Sequence, residues 1–322
     1  MKKLTFAAFL LLCHFCLWAQ QNRTTLKTEE IRTRDPFVCV DQNAKSYYIV
    51  TTSTQNGSYA LRAFESKDLE NWTEKTGLYV GDKGWMAKTN PKTDHWWAPD
   101  TYLYKGKWYT IITIACKAHN KVNFCTLLEG GKTPSDPYQM VMKDGEPICL
   151  TPPGQQCLDG SLYIDHKERP WLVYSLEWNG ADVQDRIGET WAIRLKKDLK
   201  GSIGKPIRLF RASEATWRYD ANGVMVVDAP FLWYDKGSGN LICLWSSFNN
   251  GVYCVGQAIS KSGKIEGPWE HLPDPIYMNG GHEMIFKDLE GNLKMSLHHN
   301  NNDARVKIVD VKIENGRFVA KP

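Results

Sequence analysis

The chain has 322 residues, of which 12% are aromatic and 24% charged, and its formal charge is +4. That length suits one large all-β domain or two ordinary ones, and no Ser/Gly-rich or Pro-rich linker divides it. Removing Lys2 and Lys3 with an export signal lowers the charge to +2, so weak a balance that nucleic acid is not expected as a partner.

Residues 1–19 read as a signal peptide: Lys2-Lys3, an apolar run from Leu4 to Trp18, then Ala19 before a polar stretch. The run is too short to span a membrane, so the chain is expected to be exported, periplasmic or secreted, with residues 20–322 as its single domain. Seven cysteines follow, an odd number without zinc-ribbon or thioredoxin-like spacing. Cys243 with Cys254, Cys116 with Cys125 and Cys149 with Cys157 are spaced for bridges in an oxidising compartment. Buried free thiols in strands are the competing reading.

Along the chain, five similar stretches open apolar strands: Arg34-Asp35-Pro36-Phe37-Val38, Ala98-Pro99-Asp100-Thr101-Tyr102, Leu158-Asp159-Gly160-Ser161-Leu162, Asp228-Ala229-Pro230-Phe231-Leu232 and Gly281-His282-Glu283-Met284-Ile285. From Asp35 the steps to Asp100, Asp159, Asp228 and His282 are 65, 59, 69 and 54 residues. Each stretch is followed by a Gly/Asn/Asp turn and a second β-branched or aromatic run, as in Lys105-Gly106-Lys107 before Trp108-Tyr109-Thr110-Ile111-Ile112. Third strands follow, such as Val252-Tyr253-Cys254-Val255-Gly256, and no long helical periodicity appears. The pattern predicts an all-β fold, a five-bladed β-propeller whose first strands line the axis. All five repeat starts then fall at one end of the channel. Antiparallel pairing returns the ends of the second strands to the same mouth: Glu177-Trp178, Ser246-Ser247-Phe248 and His298-His299-Asn300.

Asp35, Asp159 and Asp228 would therefore face one another. Inverting cleavage of a glycosidic bond needs two carboxyl groups roughly 6.5–9.5 Å apart, one as base on water and one as acid to the leaving oxygen. A third carboxylate helps to keep the acid protonated, because neighbouring negative charge raises a carboxyl pKa. A lone Asp-Pro is usually a turn residue; the shared phase of these acids is what argues for chemistry.

The residues resemble glycoside hydrolase family 43 over essentially the whole mature chain. Thr33-Arg34-Asp35-Pro36-Phe37 is similar to the segment carrying that family's base, Trp97-Ala98-Pro99-Asp100 to its second-blade signature, Leu158-Asp159-Gly160-Ser161 to the segment of the pKa-tuning carboxylate, and Gly280-Gly281-His282 to its fifth-blade segment. The resemblance implies a five-bladed propeller and inverting hydrolysis of arabinose-, xylose- or galactose-containing oligosaccharides or polysaccharides, an arabinosidase- or xylosidase-like glycosidase. It makes Asp35 the base and Asp159 the modulator. It also implies that no cofactor is required, with His282 as the candidate ligand if a structural Ca²⁺ sits near the axis. Where the family carries Glu as general acid, this chain has Asp228, one methylene shorter, and a displacement of about 1 Å can cost about a hundredfold in rate. Asp228 is favoured as acid over Glu177. Phe37, Trp97, Asp100, Trp178 and His282 are the expected substrate-binding residues, with Trp96 a further candidate floor and Asn300, Asn301 and Asn302 a polar loop at the mouth. The rival readings are a non-catalytic carbohydrate-binding propeller with a degenerate site, and a retaining, fructan-cleaving enzyme on a similar propeller.

Overall fold

The computed structural model describes residues 25–116, 122–177, 186–217 and 224–321. The expected signal peptide and Trp178 lie outside them. The described residues form strands joined by turns, and their only helices are short 3-10 turns such as Met86–Lys88.

Five antiparallel sheets follow one another along the chain, the first with one N-terminal strand added at its outer edge, and each runs outward from its innermost strand. Those strands are Phe37–Asp41, His95–Tyr104, Cys157–Ile164, Asp228–Tyr234 and Gly280–Lys287, belonging to blades I to V. Each pairs with a hairpin partner, for example Leu232 opposite Cys243 in blade IV and Met284 opposite Ser296 in blade V. Thr25–Lys27 pairs with the strand Asn71–Val80 at the outer edge of blade I. The ring closes between the first and last blades: Val306 N–H donates to the Ile31 carbonyl at 3.2 Å, and Ser296 Oγ to the Pro36 carbonyl at 2.8 Å.

Sheets stacked around an axis bury both faces, which explains strands that are apolar almost throughout, such as Leu241–Asn249. The core lies between blades. Trp72, Trp96 and Trp245 are fully buried. Trp96 is stacked between Tyr59 and Tyr79, with centroids 5.8 and 5.6 Å away, so it packs the core and does not floor a sugar site. All seven described cysteines are free. The ladder gives one reason: Cys243 pairs with Ala258 and Cys254 with Ser247, so the two thiols are not opposite each other.

The inner strands share a backbone feature that refines the phase of the repeat. One residue at the start of each takes a left-handed φ: Asp35 at 53°, Ala98 at 47°, Asp159 at 53°, Ala229 at 49° and His282 at 54°. In blades II to V the ladder register shifts across this residue, as in a bulge. Asp, Asn and His tolerate this conformation better than most residues, which suits three of the five positions. Asp35, Asp159 and His282 are therefore equivalent, as the sequence suggests. Asp228 stands one residue before the equivalent point and Asp100 two after it, a correction to the uniform phase read from the sequence.

Candidate active site

A residue in a bulge turns its N–H out of its own ladder, and here the preceding blade supplies the acceptor. Thr113 Oγ1 of blade II accepts from Asp159 N at 3.0 Å, and Ser246 Oγ of blade IV from His282 N at 2.9 Å. His298 Nδ1 of blade V accepts from Asp35 N at 3.3 Å. The exception is Ala229 N, which donates at 3.1 Å to the Asp159 carboxylate itself. Neighbouring blades thus fix these axial residues, and Asp159 ties the third blade to the backbone beside Asp228.

The side chains converge at the axis. His282 Nδ1 lies 3.2 Å from Asp35 Oδ1 and 3.9 Å from Asp159 Oδ2. His298 Nδ1 is 3.5 Å from the same Asp35 oxygen. Because His298 Nδ1 accepts the Asp35 amide, the tautomer assigned from this network carries its proton on Nε2, which faces Asn301 Oδ1 at 3.3 Å. Asn301 in turn receives Arg34 through its carbonyl at 3.0 Å and its side-chain oxygen at 2.8 Å, which holds the polar loop against the mouth.

Electrostatics divide the acids into two kinds. Burial works to raise the Asp35 carboxyl, but His282, His298 and the Arg34 guanidinium outweigh it and hold Asp35 well below the usual carboxylate range, so it is an anion at neutral pH. Burial lowers His282 to about 4, leaving a neutral imidazole beside that anion. The other acids go the opposite way. Burial, reinforced by the charges of Asp228 and Asp35, pushes Asp159 well above its ordinary value. Burial carries Asp228 up to about 6, with Asp35 adding to the rise and a hydrogen bond from Tyr253 limiting it. Burial and the charge of Asp228 bring Glu177, at the end of a blade III strand, to about 7. A carboxyl held ionised beside carboxyls raised towards neutrality is the division of labour that acid–base chemistry requires.

Below the mouth a cavity of about 10 Å³, room for one water, is lined by Asp35, Phe37, Asp100, Asp159, His282 and Glu283 among others. Phe37 is buried edge-on against Tyr102, with centroids 4.8 Å apart, and offers no open face. Asp100 accepts a 2.9 Å hydrogen bond from Tyr102 Oη, and burial raises it to about 8. Trp97 is the exposed aromatic at this end, 37% accessible and stacked on His95 at 3.8 Å. Larger hollows of about 420 and 650 Å³ lie elsewhere and contain none of these residues, so size does not locate the chemistry.

Thr113, Tyr253 and Glu283 have no role in the sequence reading, and Ser246 and His298 enter it only as strand ends bordering the pocket. Ser246 Oγ donates to Glu283 Oε2 at 2.5 Å, while burial pushes Glu283 well above its usual range. Glu283 stands within one of the repeated stretches, which is the signal by which it could have been found. For a Ca²⁺ the fit is poor: among the described residues no group of three or more His, Cys, Asp or Glu could hold a metal ion, and His282 Nδ1 faces Asp35.

Comparison with known proteins agrees with this fold. Residues 29–316 match the family described as Glycosyl hydrolases family 43. The chain belongs to glycosyl hydrolase family 43. The crystal structure of an endo-arabinase from Bacteroides thetaiotaomicron is 36% identical, with a TM-score of 0.79 over 92% of this chain and 100% of that one. The extracellular endo-α-(1→5)-L-arabinanase 1 of Bacillus subtilis is 24% identical over 74% of this chain and 68% of its own length. An extracellular exo-α-(1→5)-L-arabinofuranosidase from Cellvibrio japonicus is 21% identical, over 84% of this chain and 75% of its own length. Family 43 enzymes are glycosidases, and this chain is a glycoside hydrolase on a five-bladed propeller. No helix among its described residues is long and apolar enough to cross a membrane.

Proposed function

We propose that the protein is an exported enzyme that hydrolyses arabinose- or xylose-containing polysaccharides with inversion, with α-(1→5)-linked arabinan its first expected substrate. The similarity to an endo-arabinase at 36% identity supports arabinan. The extracellular naming of two relatives supports export, with secretion and the periplasm both open to it.

The observation that carries the mechanism is the split in protonation at one mouth: Asp35 held as an anion while Asp228 is raised to about 6. Asp35 takes a proton from water as that water attacks the anomeric carbon. Asp228 gives its proton to the departing glycosidic oxygen, so the carbon–oxygen bond breaks without expelling a bare alkoxide. Asp159 accepts the Ala229 amide and so braces the backbone beside the acid, while the charge of Asp35 helps to raise it. His282 and His298 hold Asp35 in place. Trp97 offers its exposed face to a sugar ring.

Glu177 is the second reading for the acid, because burial and the charge of Asp228 bring it to about 7. Hydrolysis of linear arabinan, xylan and aryl glycosides by the parent, Asp228→Asn and Glu177→Gln proteins separates the two. Under our assignment Asp228→Asn loses about 10²- to 10⁴-fold on substrates with poor leaving groups, the usual worth of a general acid, and Glu177→Gln loses far less. The reverse order would transfer the role to Glu177. Proton NMR of the first product should give the inverted anomer, and binding of these glycans without turnover would make the protein a lectin-like propeller.

A further inference from the structure

Tyr253 lies on the third strand of blade IV, Val252–Ser260, where it pairs with Phe248, while Asp228 opens the first strand opposite Ser246. Its side chain crosses the blade toward the axis and its hydroxyl donates to Asp228 Oδ2 at 2.9 Å. The ring is 3% exposed and lies parallel to His298, with centroids 5.4 Å apart and planes 11° from parallel. On another side stands Gly281, where an added Cβ would overlap the tyrosine ring and come 2.6 Å from Ser246 Oγ. A ring with two rotatable bonds, seated on an imidazole and against a residue with no side chain, has almost no freedom. Its hydroxyl is a fixed point.

We propose that Tyr253 is a positioning residue for the proton donor: by holding Oδ2 of Asp228 it presents Oδ1, which carries the transferable proton, to the glycosidic oxygen. The proposal rests on the reading of Asp228 as general acid. In the reacting step the proton on Oδ1 passes to the leaving oxygen as its bond to the anomeric carbon breaks. Water supplies the new bond to that carbon and gives its proton to Asp35, leaving Asp228 as the carboxylate. A hydrogen bond from a neutral hydroxyl strengthens as its acceptor becomes charged, so Tyr253 also stabilises the transition state. Through His298 the same ring touches the support of the base, and one side chain therefore spans both halves of the reaction.

Tyr253→Phe removes one oxygen and leaves the ring packing in place. The groups facing Asp228 are unchanged by it: Asp35, Asp159, Glu177 and Glu283 on the acidic side, Arg34 and His298 on the basic side. The test is kcat/KM against pH for the parent, Tyr253→Phe and Asp228→Asn proteins on two aryl glycosides of the sugar the parent cleaves, one with a phenyl and one with a dinitrophenyl leaving group. For Tyr253→Phe we expect a loss of about 10- to 100-fold on the phenyl glycoside, the worth of a charge-assisted hydrogen bond, with a much smaller loss on the dinitrophenyl one. The alkaline limb should move to higher pH, because the lost bond favoured the ionised form of Asp228. Equal losses on both substrates with an unmoved limb would reduce Tyr253 to packing and overturn the proposal. If Asp228→Asn itself shows no dependence on the leaving group, the acid assignment fails and Tyr253 with it. If Asp228→Asn shows that dependence and Tyr253→Phe does not, the positioning role alone fails.

Discussion

His298 is the sharpest place to test how the fold holds the base. Its side chain is wholly buried, its Nδ1 accepts the amide of Asp35, its Nε2 reaches Asn301, and its face carries Tyr253. Asp35 has a φ of 53°, a conformation that persists only where its surroundings enforce it. His298→Ala removes the acceptor and leaves a buried N–H unpaired, which costs about 1–3 kcal/mol. At about 2–4 °C per kcal/mol for a domain of this size class, the melting temperature should fall by roughly 2–12 °C. The rate should fall more steeply than stability suggests, by about a hundredfold, because a displacement of the base on the order of 1 Å is enough to do so. Differential scanning fluorimetry and kcat on the best substrate measure the two together. His298→Asn, which returns a side-chain acceptor near the amide, should recover part of both. A His298→Ala protein with a melting point within about 1 °C of the parent and an unchanged kcat would refute the claim that this imidazole secures Asp35.

Three further outcomes are expected. With Asp228 at about 6 and Asp35 held far lower, kcat/KM should decline above about pH 6 as the acid loses its proton, and should persist on the acidic side to below the ordinary carboxylate range; a profile that rises through pH 7 would contradict this. Burial lowers His271, packed edge-on against Phe210 at 4.7 Å, to about 4, so the unfolded chain binds its proton first as pH falls. The contribution of His271 to stability should therefore shrink from about pH 6.5 towards 4, opposite in sign to that of the raised carboxyls, and the melting temperature of His271→Leu relative to the parent should climb over that range; a constant difference would contradict this. Gly256 faces the Trp217 indole so closely that a Cβ would sit 2.6 Å from Cε2; Gly256→Ala should cost about 1–3 kcal/mol by overpacking, read as a lower denaturation midpoint at unchanged m-value.

The fold was legible because a propeller repeats its grammar. An acid or Ala-Pro start, an apolar strand, a Gly/Asn turn and a second strand recur five times, and each recurrence is local in sequence. The axial acids were legible for the same reason, since Asp35, Asp159 and His282 occupy one backbone position in three blades. Their finer register was not. The bulge falls on Ala98 and Ala229 in the other two blades, so Asp100 and Asp228 were aligned by residue type where the backbone offsets them. Residues that reach the site from second and third strands carry no motif. Tyr253 reads as one more strand aromatic, and only the closeness of blade V at Gly281 and His298 turns its hydroxyl toward Asp228. Trp96 and Phe37 show the converse: both were candidates to floor a sugar subsite, yet sheet packing takes both rings, and Trp97 alone of the three keeps an exposed face.

The central claim is that Asp35 is the base of a working glycosidase, and Asp35→Asn tests it most directly. Replacing a carboxylate by its uncharged isostere at this mouth should cost about 10²- to 10⁴-fold in kcat on linear arabinan, or on whichever glycan the parent cleaves, while calorimetry still registers binding of the same glycan. Turnover by Asp35→Asn at the parent's rate would contradict the account.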